Sequence, residues 1–311
     1  MIQAKRKQKR LLRIVLTAVW ILSSFSFLSL PARAAESTYE LSDGYEESVF
    51  FEEFQDYELT GDMRRDVVSV AYTQLGYHEG NSTAELHGRN LYGSRNFTEY
   101  NRIWGALDNG EGNGNSVGYA WCASFVSWCL RQSGVPDEIA ASEVSCQRMI
   151  DWYRSNSTYR PRGSYIPLPG DIIMFRYGSG SANHVGIVIG VEQGRVYTVE
   201  GNTSDMVGLR SYSMSNSTIL GYCVPDYVTE EGAVYDFPLT ATYETGEYIT
   251  LAANLNVRAA PTTASAKLGR LPGGSRVTVT EVRGEWGRIT YAGREAWISL
   301  NYTTPDPDAW R

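Results

Sequence analysis

Cysteine and histidine are scarce in this sequence, whose 311 residues include four cysteines and three histidines. Four cysteines are too few for a fold that depends on a dense framework of disulfide bonds. A structural zinc site is not expected either, because the sequence has no Cys-x-x-Cys pair and its histidines are scattered. We expect two of these histidines, His78 and His87, to be loop residues near the surface.

An excess of positive charge is also missing, since 28 lysines and arginines stand against 35 acids. Seven of those bases and none of the acids lie in residues 1–34. The chain without this segment therefore has 21 bases, 35 acids and a formal net charge of −14. Nucleic-acid binding requires basic patches that neutralise phosphates. We therefore expect no nucleic-acid partner.

Residues 1–34 form a unit of their own, predicted to be a signal peptide. A basic start, KRKQKRLLR, precedes an uncharged and mostly apolar run from Ile14 to Leu30, and Ala32-Arg33-Ala34 fits a cleavage site. An uncleaved membrane anchor is the alternative, because the run approaches the ~20 residues that cross a bilayer. Cleavage predicts a secreted or wall-associated protein with no stable membrane insertion.

The remaining chain is predicted to contain an α+β domain over residues 62–227. Residues 35–61 precede it as an acidic, solvated leader. Apolar spacing then predicts helices near residues 63–75, over 122–132 and over about 138–154. Short β-branched and aromatic runs bounded by glycine, proline or asparagine follow, as expected for antiparallel strands. Helices followed by such strands indicate an α+β fold.

The C-terminal part of the chain has a different pattern. Residues 228–247 lack clear periodicity and are predicted to be a linker. Residues 248–311 are predicted to be a second domain. Short strand patterns run from Tyr248 to Thr303, with Ala292-Gly293 at a hairpin position, and about 56 residues of this kind suit a small β-barrel.

The stretch YAWCASFVSWCL contains two of the four cysteines, Cys122 and Cys129. A helix separates their Cα atoms by about 10 Å, which exceeds the ~7 Å limit for a disulfide. Cys122 follows a turn-rich loop and begins the helix, where free N–H groups lower a thiol pKa. Cys129 lies two turns further and should pack in the core. Cys146 and Cys223 remain a possible pair.

A cysteine nucleophile needs a base and a group that orients the base. His184 opens the apolar strand HVGIVIG, and Glu200 and Asn202 end the neighbouring strand run YTVEGN. Glu200 could accept a hydrogen bond from His184. Asn202 could donate to an oxyanion or share the orienting role.

The motifs AWCASFVSWCL, PGDIIMF, HVGIVIG and VEGN, in this order, resemble the CHAP domain of bacterial peptidoglycan hydrolases, within the papain-like NlpC/P60 superfamily. The resemblance implies helices packed on an antiparallel sheet, with Cys122 as nucleophile, His184 as base, Glu200 as the orienting acid and Asn202 assisting. The motifs NLNVRAAP, GSRVTV and WGRITYAGREAW resemble a bacterial SH3 (SH3b) domain, although Ala296 replaces the usual glycine before Trp297. This second resemblance implies a wall-binding module with an SH3-like barrel.

Together these features predict an exported, monomeric cysteine hydrolase that cleaves an amide bond in peptidoglycan, as an amidase or as an endopeptidase. One alternative is a non-catalytic wall-binding or adhesin-like protein, and another is an acyl transferase using the same thiol and imidazole. No cofactor is required for this chemistry. Calcium is an optional cofactor that could bind in the loop before Cys122. The candidate oxygen ligands in this loop are Asp108, Asn109, Glu111, Asn113 and Asn115.

Overall fold

The computed structural model describes residues 33–34, 39–89, 93–105, 107, 118–252 and 254–305. Apart from residues 33–34, the predicted signal peptide lies outside these ranges. The described helices are α1 Asp43–Glu46, α2 Val49–Asp56, α3 Met63–Tyr72, α4 Glu99–Ile103, α5 Cys122–Gln132 and α6 Cys146–Ser155. None of them is long and apolar enough to cross a membrane.

Side-chain caps distinguish α5 from the other helices. Serine, threonine or aspartate at the N-cap of each other helix accepts a hydrogen bond from a backbone N–H of the first turn. The N-cap of α5 is Trp121, which makes no such bond. The first N–H groups of α5 are therefore left for other partners. The cap at Ser145 also explains why α6 begins at Cys146, later than the predicted start near residue 138.

The acidic segment is part of the folded core, so the prediction of a solvated leader is wrong for residues 41–56. Tyr45, Phe50 and Phe54 are buried, while most acids of α1 and α2 face outward. The ring of Phe54 lies 5.5 Å from that of Trp128 in α5. Phe50 and Phe54 are four residues apart, so both occupy one helix face. The amphipathic helix α2 thus covers α5 from outside.

A six-stranded sheet forms the other layer of the first domain. It follows a short antiparallel pair of strands, β1 Arg33–Ala34 and β2 Glu58–Leu59. The order of the six strands is β3-β8-β4-β5-β6-β7, and all neighbouring strands are antiparallel. Helices α3 and α5 pack against its central strands, which confirms the α+β class. The strands are β3 Tyr159–Pro161, β4 Ile172–Phe175, β5 His184–Glu192, β6 Arg195–Glu200, β7 Gly208–Ser213 and β8 Ile219–Cys223.

The C-terminal region is a small β-structure, as predicted. It contains sheets of five and three strands, in the orders β11-β10-β15-β14-β13 and β12-β9-β16. Val257 and Ile298 lie in its core, and Ala292 and Gly293 form the β14–β15 hairpin turn with positive φ. The strands are β9 Gly246–Thr250, β10 Asn254–Arg258, β11 Lys267–Pro272, β12 Arg276–Val279, β13 Glu281–Arg283, β14 Trp286–Tyr291, β15 Arg294–Ser299 and β16 Thr303–Pro305.

The segment between the two regions has no helix or strand up to residue 245, and it lies along the first domain. The carbonyl of Val228 accepts from the N–H of Met63 at 3.0 Å, and the Tyr235 hydroxyl donates to Asp62 at 2.8 Å. The rings of Phe237 and Tyr72 stack 6.1 Å apart. These contacts hold the predicted linker against α3.

Candidate active site

Cys122 is the first residue of α5 and is 3% exposed. The residue before it, Trp121, is fully buried and donates from Nε1 to Glu79 Oε2 at 2.7 Å. The other oxygen of Glu79 accepts the backbone N–H of Asn96 at 2.8 Å. The buried Glu79 thus fixes the entry into α5, and with it the position of Cys122. Sequence analysis missed this residue, because no local pattern connects it with Trp121.

His184 begins β5 and Glu200 ends β6, so the antiparallel arrangement brings both to one end of the sheet. His184 Nε2 lies 2.8 Å from Glu200 Oε2. Tyr212 donates to the same oxygen at 3.0 Å, and Thr198 donates to Oε1 at 2.6 Å. Glu200 is fully buried, and these donors stabilise its carboxylate. The predicted contact between base and acid is therefore present.

The Cys122 thiol and the His184 imidazole interact, since each group shifts the pKa of the other. Because Glu200 engages Nε2, Nδ1 is the imidazole nitrogen that remains for the thiol. Burial alone would lower the pKa of His184, but hydrogen bonds to Cys122 and Glu200, and the charges of both, raise that pKa to about 10. These shifts favour a thiolate–imidazolium pair, the reactive form of a cysteine nucleophile.

Asn202 also lies at this site. It lines an open groove of about 390 Å³ together with His184 and Glu200. Its backbone has φ +53°, and its amide donates to Asn96 Oδ1 at 3.3 Å. Among the described residues its side chain makes no hydrogen bond to His184, which leaves Glu200 as the residue that orients the imidazole.

Comparison with known proteins gives two family matches. Residues 114–202 match the CHAP domain, and residues 253–304 match the bacterial SH3 domain. This chain carries a CHAP domain followed by a bacterial SH3 domain. The CHAP match ends on Asn202 and contains Cys122, His184 and Glu200. A CHAP domain with this geometry supports peptidoglycan hydrolysis as the activity.

Solved structures with some similarity include Ly7917, at 16% identity over 78% of this chain and 97% of that one, with a TM-score of 0.31. Ly7917 with the hydrolyzing product of MDP matches at 19% identity over 62% and 85%, with a TM-score of 0.26. NlpC2 from Trichomonas vaginalis matches at 12% identity over 44% of each chain, with a TM-score of 0.18. No curated protein sequence matches this chain.

The CHAP domain contains a second thiol beside Cys122 that sequence analysis did not place there. Cys146 Sγ lies 3.6 Å from Cys122 Sγ, and all four cysteines are free. The considered pairing of Cys146 with Cys223 is therefore absent. The pKa of Cys122 is held well below its ordinary value, mainly by the hydrogen bond with Cys146. Burial raises this pKa, whereas the interaction with His184 lowers it further. The same contact and burial raise the pKa of Cys146, so Cys146 acts as the donor.

The two remaining cysteines of the chain are structural. Cys129 and Cys223 are fully buried, and burial raises the pKa of each thiol well above its ordinary value. His78, expected near the surface, is buried as well, with Nδ1 3.1 Å from the carbonyl oxygen of Glu79. Burial lowers the pKa of His78.

Within the ranges that the structure describes, no group of three or more histidine, cysteine, aspartate or glutamate side chains could hold an ion. The candidate calcium ligands lie outside those ranges: Asp108, Asn109, Glu111, Asn113 and Asn115.

Proposed function

We propose that this protein is an exported cysteine hydrolase that cleaves an amide bond in peptidoglycan. The observation that carries the proposal is the 2.8 Å contact between His184 and the buried carboxylate of Glu200, together with the electrostatic interaction of His184 with the Cys122 thiol. A wall-binding protein without activity has no physical need for this costly arrangement of a buried carboxylate beside a charged imidazole.

In the proposed reaction, the Cys122 thiolate attacks the carbonyl carbon of the scissile amide. His184, protonated in the resting pair, gives its proton to the leaving amine, and a thioester remains on Cys122. His184 then accepts a proton from the attacking water, and the thioester is hydrolysed. Glu200 keeps the imidazole in place and stabilises its charge in both steps.

The tetrahedral intermediate needs hydrogen-bond donors for its oxyanion. The backbone N–H groups at the start of α5 are suitable, because Trp121 provides no side-chain cap and the helix dipole favours negative charge there. Asn202 is a second candidate donor, since it lines the groove, although its amide is directed to Asn96 in this structure.

Location and wall attachment are parts of the same proposal. The features of residues 1–34 support export with cleavage after residue 34 or 35, so the secreted protein should begin at residue 35 or 36. A secreted chain that retains Met1 would contradict this. The bacterial SH3 domain supports a tether to peptidoglycan. The inactive Cys122→Ala chain should therefore sediment with purified walls, and it would stay in the supernatant if the barrel were only a spacer.

Mass spectrometry of products from purified peptidoglycan tests the proposed function and identifies the bond. An amidase would release peptides with an L-alanine amino terminus and leave free lactyl groups on muramic acid. An endopeptidase would create new termini within the peptides. Products joined to an added amine would indicate acyl transfer instead of hydrolysis. If wild type and Cys122→Ala gave the same products as buffer, the proposal would be wrong.

A further inference from the structure

A cavity of about 580 Å³ lies between the edge of the CHAP sheet and the SH3 barrel. Arg195 and Arg210 line it from strands β6 and β7, and Arg258 lines it from β10. Trp286 and Tyr302 add aromatic surface from the barrel. Its volume is within the roughly 300–1,000 Å³ of small-molecule sites.

The charge in this cavity is unbalanced. Glu285 is the only acid among the described lining residues, against the three arginines. Within the part of the chain that the structure describes, these arginines donate hydrogen bonds to backbone carbonyls and serine hydroxyls, and none of them forms an ion pair. Guanidinium groups have five donors in a planar fork that matches a carboxylate. Positive charge without acidic partners, in a chain that is acidic overall, therefore favours a carboxylate ligand.

The cavity lies beside the groove at His184 and Glu200. Ser204 lines both spaces, and Arg210 donates from Nη2 to the Thr203 carbonyl at 3.2 Å and to Ser204 Oγ at 3.4 Å. The Arg210 guanidinium also lies 5.0 Å from the centre of the Tyr302 ring. Arg210 therefore contacts both the segment at Ser204 and the barrel. A peptide bound at His184 can extend past Ser204 into this cavity.

We propose that this cavity binds a carboxylate of the peptide substrate, with Arg195 and Arg210 as the recognising residues. The proposal rests on the proposed function for the identity of the peptide. It gives the SH3 barrel a role in specificity, because part of the binding surface belongs to the barrel.

Calorimetry on the full Cys122→Ala chain tests this site without requiring hydrolysis. The probes are the tetrapeptide L-Ala-D-γ-Glu-L-Lys-D-Ala and the same peptide amidated at its carboxyl groups. We expect the acidic form to bind at least about ten-fold more tightly, because hydrogen bonds to charged groups contribute about 1.5–3 kcal/mol each. Arg195→Gln and Arg210→Gln should each remove most of this preference.

Arg294→Gln is the matched control, since Arg294 is an exposed arginine of the barrel that does not line the cavity. It should bind both peptides as the parent chain does, and thermal unfolding should show that all variants are folded. Equal affinity for the two peptides, or a preference that survives both cavity substitutions, would overturn the proposal. Failure of the proposed function would appear separately, as a wild-type chain that binds the acidic peptide but cleaves no peptidoglycan.

The contact between two thiols at the nucleophile supports a second, independent inference. Cys122 and Cys146 each begin a helix, and their sulfur atoms are 3.6 Å apart, so a shift of about 1.5 Å would bring them to the bonded distance of a disulfide. Thiols in exported proteins encounter oxidising conditions. We infer that Cys122 and Cys146 form a reversible disulfide that switches the enzyme off.

The oxidant is a low-molecular-weight disulfide. The Cys122 thiolate attacks one of its sulfur atoms and releases one thiolate, which leaves a mixed disulfide on Cys122. Cys146 then loses its proton and attacks Cys122 Sγ, releasing the second small thiol. The two electrons lost by the protein thiols reduce the small disulfide, and no nucleophile remains for the substrate.

Oxidised glutathione is the probe for this switch. Wild-type chain should lose hydrolysis, lose two hydrogens in its intact mass, yield a Cys122–Cys146 cross-linked peptide and recover with dithiothreitol. Cys146→Ser should instead keep a glutathione adduct on Cys122, whereas the matched control Cys223→Ser should behave as wild type. A stable glutathione adduct on the wild-type chain, or no modification of either thiol, would contradict the switch.

Discussion

Replacing Glu200 by glutamine removes a buried negative charge beside His184 and preserves the shape of the side chain. In the native chain the two oxygens of Glu200 accept from His184, Tyr212 and Thr198. Glutamine has one acceptor oxygen, so its amide N–H₂ must face either Thr198 or the His184 side. A hydrogen bond to a charged group contributes about 1.5–3 kcal/mol, which corresponds to a loss of about ten- to 150-fold in kcat/KM.

The pH dependence of kcat/KM separates this reasoning from a simple packing defect. The reactive pair needs a protonated His184, whose pKa is raised to about 10, so wild type should lose activity as the pH rises through that region. Glu200 is one of the groups that raise this pKa. In Glu200→Gln the alkaline limb should therefore lie about one to two pH units lower. This shift corresponds to the loss of the same hydrogen-bond energy of about 1.5–3 kcal/mol from the protonated His184. A variant with a lower rate and an unchanged alkaline limb would refute the assigned electrostatic role.

Three other substitutions test separate parts of the structure. Cys146→Ala removes the thiol that lowers the pKa of Cys122, so the acid limb of the pH–rate profile should move to higher pH; an unchanged limb would contradict the donor role. Cys129→Ser should cost about 1–3 kcal/mol in urea unfolding, because it buries a hydroxyl, and should keep kcat/KM. Phe54→Ala should cost about 3–5 kcal/mol in the same assay, whereas a loss below 1 kcal/mol would show that the acidic segment is not part of the core.

Local patterns were sufficient to predict the parts of the site that depend on one element at a time. Helix α5 spans the predicted residues Cys122–Gln132, because one apolar stripe is bounded by a turn-rich loop and Gly134. His184 and Glu200 lie at strand ends, as the boundaries of their apolar runs indicated. Their contact then follows from antiparallel pairing of neighbouring strands.

Other features depend on tertiary packing that the sequence does not encode locally. Cys146 reaches Cys122 because the starts of α5 and α6 meet, and Glu79 reaches Trp121 across 42 residues. The acidic segment could have been recognised as a packed helix, since Phe50 and Phe54 share a helix face, but the nine acids of residues 35–61 favoured a solvated segment. The cavity between the two domains could not be predicted from the sequence, because residues of both folds line it.

Hydrolysis of purified peptidoglycan by Cys122→Ala, beside wild type and Cys129→Ser, tests the central claim most directly. Among the four cysteines, only Cys122 combines a helix N-terminus, an electrostatic interaction with His184 and a lowered pKa. We predict that Cys122→Ala releases no products above the buffer control, while Cys129→Ser cleaves at a rate close to wild type when folded. Wild-type turnover by Cys122→Ala would contradict the assignment of the nucleophile and the mechanism built on it.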